Sequence, residues 1–94
     1  MQDSLSLPKS VLSMLSVMSQ DVSESIKVAI LARLPQAVIA VRGAGGHFEI
    51  AVTAASFAGQ STLERQRTVL SAIAHLMKGD NAPVHAVDSL KTSV

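Results

Sequence analysis

The chain of 94 residues contains no cysteine, tryptophan or tyrosine and only two phenylalanines. Without cysteine it cannot form a disulfide, a zinc site built on thiolates, or an iron–sulfur cluster held by its own sulfur atoms. The scarcity of aromatic rings also argues against binding single-stranded nucleic acid by base stacking, because Phe48 and Phe57 lie among the small and aliphatic residues typical of a core. Any soft-metal chemistry therefore requires sulfur from a partner molecule.

The sequence also has almost no excess of charge of either sign. Eight Lys and Arg residues stand against seven Asp and Glu, a formal net charge of +1, far from the basic excess of a dedicated nucleic-acid-binding domain. No apolar run approaches the length of about 18 residues that suggests a membrane span. The sequence predicts a soluble, cytoplasmic protein that is a monomer or a weak dimer when alone.

The chain is long enough for one small domain preceded by a short arm. Residues 1–17 alternate apolar residues with serine and predict a flexible N-terminal arm, which leaves residues 18–94 as the folded domain. The helical spacing of Val22, Ile26, Ile30 and Leu34 predicts a first helix that stops before Pro35.

Two strands follow, over residues 37–42 and 47–53, and the glycine-rich Gly43-Ala-Gly-Gly46 predicts a hairpin loop between them. Phe48, Ile50 and Val52 alternate with polar or small residues and predict the buried face of this hairpin.

A capping box formed by Ser61 and Glu64 predicts the start of a second helix. Its predicted buried stripe comprises Leu63, Leu70, Ile73 and Met77, flanked by Val69 and Leu76. Residues 84–91 predict a third strand. The order α-β-β-α-β predicts an α+β fold in which a three-stranded sheet carries its helices on one face. If the third strand lies beside the first, a right-handed crossover through the second helix is expected.

No catalytic constellation is evident, because no nucleophile lies at motif spacing from a base and G-x-S-x-G is absent. The chain is therefore predicted not to be an enzyme. Gly43-Ala-Gly-Gly46 matches the G-x-x-G loop of KH domains, but it joins two strands instead of two helices, which favours a simple hairpin loop.

Histidine and arginine residues are the candidates for binding. His47 opens the second strand and His85 opens the third; each is either a structural hydrogen-bonding residue or a metal ligand. Two imidazoles cannot complete a tetrahedral zinc or cluster site, so a partner would have to supply the remaining ligands. Arg65 and Arg67, with Lys91, are either a solvated surface or a docking patch for an acidic protein or for phosphates.

Three stretches of the chain, within residues 19–92, resemble the BolA family. These are His47-Phe-Glu-Ile-Ala-Val, the segment Ser56-Phe-Ala-Gly-Gln-Ser-Thr-Leu-Glu-Arg-Gln-Arg-Thr-Val69, and Val84-His-Ala-Val followed by Leu90-Lys-Thr92. They match the family's histidine–phenylalanine pair, its F-x-G-x-S connector, its R-H-R-like helix segment, and H-A-(L/V) followed by L-K-T.

The resemblance implies a KH-like fold and a partnership with monothiol glutaredoxins. In such a heterodimer a [2Fe-2S] cluster is shared: glutaredoxin and glutathione provide thiolates, and the histidine of H-A-(L/V), here His85, provides a nitrogen. An iron–sulfur role in cluster assembly, trafficking or iron regulation is thus the first expectation. A nucleic-acid-binding transcriptional regulator that uses Arg65, Arg67 and Lys91 is the second, and an adaptor that docks on glutaredoxin without a cluster is the third.

The sequence departs from the family pattern at three places. The family's second ligand is a Cys or His in the loop between the first two strands, and Gly43–Gly46 contains neither, which leaves His47, at a different position, as the substitute candidate. Gln66 replaces the middle histidine of R-H-R, as in the short-loop bacterial members. Asp88-Ser89 makes the segment before L-K-T one residue longer than usual, and a β-bulge there would return Val87 and Leu90 to one face.

Overall fold

The computed structural model of the protein describes residues 22–94, so the predicted arm at residues 1–17 lies outside the described residues. The elements follow the predicted order. They are helix α1, which is helical over residues 22–33, strand β1 (Val38–Ala44), strand β2 (His47–Thr53), helix α2 (Thr62–Ile73) and strand β3 (Ala86–Ser93). Short 3₁₀ turns at Ala55–Phe57 and Ala74–Leu76 flank α2.

Strands β1 and β2 form an antiparallel hairpin that is tighter than the sequence suggested. Ala44 pairs with His47, so only Gly45 and Gly46 make the turn. Both have positive φ, 64° and 86°, as a two-residue turn of type I′ requires at its two central positions. Strand β1 thus continues through Gly43 and Ala44, which were expected to belong to the loop.

Strand β3 lies beside β2 and parallel to it, so the sheet order is β1-β2-β3. It does not neighbour β1, the arrangement considered from the sequence. The tight hairpin gives one edge of β2 to β1, and β3 takes the other edge after the chain has crossed through α2. The strand β2 is therefore central and hydrogen-bonded on both sides.

The predicted β-bulge is confirmed. Val87 pairs with Phe48, and the next pair is Ser89 with Glu49, so Asp88 is the extra residue. Beyond the bulge Leu90 faces the core together with Val87, and both pack against the buried cluster.

One hydrophobic core joins the helices to a single face of the sheet. Phe48, Ile50 and Val52 are 4%, 2% and 1% exposed, as the alternation predicted. The other fully buried large side chains are Ile26, Ile30, Phe57, Val69, Ile73 and Val84. The α+β fold with helices on one face is therefore confirmed.

Helix α2 begins at the predicted capping box. The Glu64 amide donates to the Ser61 hydroxyl (3.1 Å), and the Ser61 amide donates to the Glu64 carboxylate (2.9 Å). The predicted buried stripe is only partly right: Ile73 is buried, but Leu63 and Leu70 are 57% and 38% exposed. The buried residues of the helix are Val69, which was predicted to flank the stripe, together with Ala72 and Ile73.

Candidate functional site

His85 lies immediately before β3, at the end of the sheet that also carries the hairpin turn. The preceding residue, Val84, is fully buried and its amide donates to the Leu76 carbonyl (3.1 Å). The His85 side chain is exposed. An exposed imidazole thus stands on a backbone anchored in the core.

The hairpin turn holds the backbone of His85 from the other side. The Gly46 carbonyl accepts hydrogen bonds from the amides of His85 (2.8 Å) and Ala86 (3.0 Å). The imidazole itself packs against Gly46, close enough that a Cβ built on this glycine would lie 2.8 Å from His85 Cγ. The structure thus brings together the turn and the H-A-V segment, which are far apart in the sequence.

His47 lies at the same end of the sheet, since it pairs with Ala86 in the register. Its Nδ1 is 3.2 Å from Oδ1 of Asp88, the bulged residue. The two side chains are 58% and 54% exposed, so this pair adds little to stability. This contact occupies Nδ1, so Nε2 is the ring nitrogen whose lone pair is available to a metal when Nδ1 carries the proton.

Among residues 22–94, no group of three or more His, Cys, Asp or Glu side chains is arranged to hold a metal ion. The third imidazole, His75, lines a groove against α1 together with Glu24 and Val28.

The predicted basic residues do not form one patch. Arg65 is half-buried on α2, where its Nε donates to the Gln60 carbonyl (3.1 Å) and its guanidinium lies 5.8 Å from the centre of the Phe57 ring. Arg67 is exposed on the same helix. Lys91 pairs with the exposed Ala51 and so lies on the outer face of the sheet, away from the helices. Nucleic-acid binding by these three cations stays a prediction.

Within the part of the chain that the structure describes, no helix has the length and hydrophobicity needed to cross a membrane.

The family model for BolA-like proteins matches residues 18–93. The chain belongs to the BolA-like family. A solved BolA homologue from Coxiella burnetii is 36% identical in sequence, with a TM-score of 0.62 over 76% of this chain and 87% of that chain. Comparison with curated proteins gave no match.

Two further solved structures are similar to this BolA-like protein in fold. BolA1 from Arabidopsis thaliana is 14% identical, with a TM-score of 0.60 over 74% of this chain and 88% of that chain. A Bol-like protein from Babesia bovis is 26% identical, with a TM-score of 0.52 over 71% and 79%. Together with the sheet and helices above, they establish the α+β fold of BolA proteins.

Two contacts at this end of the sheet were not anticipated from the sequence. Gly46 had been assigned only a role in the loop, although the structure places it against the His85 ring. Asp88 had been identified as a bulge residue, but its contact with His47 had not. The expected bulge was the available signal for the second contact, because an inserted residue redirects its own side chain.

Proposed function

We propose that this BolA-like protein is a partner of monothiol glutaredoxins in iron–sulfur cluster assembly, trafficking or iron regulation in the cytoplasm. Its role is to bind glutaredoxin and to contribute the imidazole of His85 to a [2Fe-2S] cluster that the glutaredoxin and glutathione thiolates also hold. The observation that carries the proposal is an exposed imidazole on a doubly anchored backbone, in a chain without cysteine. The protein itself performs no bond-breaking step in this role.

The donor chemistry fits a mixed site. A [2Fe-2S] cluster takes four ligands, and imidazole can replace thiolate on one of the two irons. His85 supplies one neutral nitrogen, and the turn of Gly45 and Gly46 has no donor side chain to add. Among residues 22–94, His47 is the other imidazole at this end of the sheet, and its Nε2 could serve as a second ligand there.

The test reconstitutes the shared cluster from the full chain, a monothiol glutaredoxin, glutathione, iron and sulfide. Visible absorption and circular dichroism are recorded for the wild type, H85A and H75A, while size exclusion reports the heterodimer. We expect a spectrum distinct from that of the glutaredoxin homodimer for the wild type and H75A, and its loss for H85A. His75 is the matched control because it is also an exposed histidine but lies against α1.

Two outcomes would overturn the ligand assignment: no distinct spectrum with the wild type, or the same spectrum with H85A. A heterodimer that forms without any cluster would support the adaptor function instead. H47A decides the second ligand, because a lost or shifted spectrum assigns His47 to the cluster and an unchanged one removes it.

A further inference from the structure

Gly46 lies next to the His85 imidazole, and a residue with a Cβ at this position would displace the ring. A Cβ built at Gly46 would lie 2.8 Å from Cγ, 2.9 Å from Cδ2 and 3.2 Å from Cβ of His85. Carbon atoms in van der Waals contact sit about 3.5–4.0 Å apart, so any side chain at residue 46 would have to displace the ring. The φ of 86° at Gly46 further disfavours any residue with a Cβ.

The same glycine fixes the backbone that carries the ring. Its carbonyl accepts hydrogen bonds from the amides of both His85 and Ala86. The residue before His85, Val84, is fully buried in the core. An exposed side chain on a free loop would exchange among the three staggered χ1 rotamers. Here the backbone is held from both sides and the ring rests against the turn, which restricts that exchange.

We infer that Gly46 is the positioning residue for His85, so that the turn presents the imidazole to a partner in one preset orientation. The inference rests on the proposed function for its consequence at the cluster, but the orientation itself belongs to the isolated chain. Holding a ligand in its bound rotamer before association lowers the ordering entropy that binding must overcome.

The chain offers matched control glycines. Gly59 and Gly79 have φ of 81° and 91°, nearly the value at Gly46, and a Cβ at either would meet no atom within 4 Å. Gly45 shares the turn, has φ of 64° and also faces open space. Alanine at these three positions imposes comparable backbone strain without touching the ring, so only G46A combines strain with intrusion on His85.

The first experiment uses NMR on the isolated full-length chain. Three-bond couplings from Cγ of His85 to its backbone nitrogen and carbonyl carbon report χ1, and nuclear Overhauser effects between Gly46 Hα and the ring proton on Cδ2 report the contact. We expect one dominant rotamer and a strong contact in the wild type, G59A and G79A, and a changed rotamer population in G46A. Rotamer averaging in the wild type would refute the inference even if G46A failed to fold, and so would an unchanged ring in folded G46A.

The second experiment loads the cluster in the presence of monothiol glutaredoxin. We expect G46A to lower the affinity of the heterodimer for the cluster by about tenfold or more, an effect typical of losing groups that orient metal ligands, while G59A and G79A load like the wild type. Failure of the wild type to load refutes the proposed function and leaves the NMR result to decide the positioning. Equal loading of G46A and the wild type, with the ring displaced, refutes the positioning role alone.

Discussion

The orientation of helix α2 gives the most direct test of the fold, because the sequence places Leu63 on its buried side and the structure does not. Ile73 is fully buried and Leu63 is 57% exposed. We therefore compare I73A with L63A, two substitutions that each remove three carbon atoms from an aliphatic side chain on the same helix.

The expected losses follow from burial. Three buried carbons at about 0.8 kcal/mol each give about 2.4 kcal/mol for I73A, and the cavity left behind adds to this loss, up to about 5 kcal/mol in total. Leu63 keeps more than half of its surface in water, so its loss is about 1 kcal/mol before the slightly better helix propensity of alanine is subtracted. The difference is at least about 1.4 kcal/mol, a factor of ten in the folding equilibrium constant.

Urea unfolding of the full chain followed by far-UV circular dichroism measures both losses, since the protein has no tryptophan or tyrosine to serve as a fluorescent probe. The slope of unfolding free energy against urea should be the same for both variants, as expected when only stability changes. If L63A loses as much stability as I73A, Leu63 is buried and not exposed, and the helix packs with the face that the sequence suggested.

Two further predictions concern local features of the fold. Replacing Ser61 by alanine removes the hydroxyl half of the capping box and should lower the unfolding free energy by about 1 kcal/mol in the same urea experiment; no change would show that the cap contributes nothing. Deleting Asp88 should preserve the pairing of β2 with β3, because it is the extra residue of the bulge, and the native pattern of interstrand nuclear Overhauser effects should persist. Deleting Ser89 instead leaves Asp88 opposite Glu49, so this variant should melt at a lower temperature than the Asp88 deletion, since like charges directly opposite are destabilising; equal melting temperatures would argue against that register.

Local signals predicted most of the elements. The alternation of Phe48, Ile50 and Val52 identified the buried face of β2, and the capping box located the start of α2 to the residue. These features depend on neighbours within a few positions, where backbone geometry alone relates the side chains. The bulge at Asp88-Ser89 could be predicted because the segment is one residue longer than the spacing of the family it resembles, and only a bulge returns Val87 and Leu90 to one face.

The face of α2 could not be chosen from the sequence because the helix carries two apolar stripes. Leu63 and Leu70 are seven residues apart, and so are Val69 and Leu76, so each pair repeats at helical spacing. Contacts with α1 and the sheet decide which stripe is buried, and those contacts are made by residues far away in the chain. The position of β3 beside β2 is non-local in the same sense.

The candidate site shows the same contrast between features that local sequence predicts and features that distant contacts decide. His85 was identified from a short motif, but its contact with Gly46 depends on how β3 docks beside the hairpin. The three basic residues illustrate the converse case: they were grouped by charge, and the structure separates Lys91 from Arg65 and Arg67 by the thickness of the sheet. Residue type predicted what each side chain could bind, and tertiary structure determined which of them could act together.

The central position of β2 has a consequence for the order of events during synthesis. While the chain emerges from the ribosome, β2 can pair with β1 as soon as the hairpin is made, but its second edge stays open until β3 has been translated. A nascent chain therefore exposes an unpaired strand edge, a known route to misassembly. It also cannot hold His85 on its anchored backbone before the sheet is complete, since that anchoring needs the hairpin turn and β3 together.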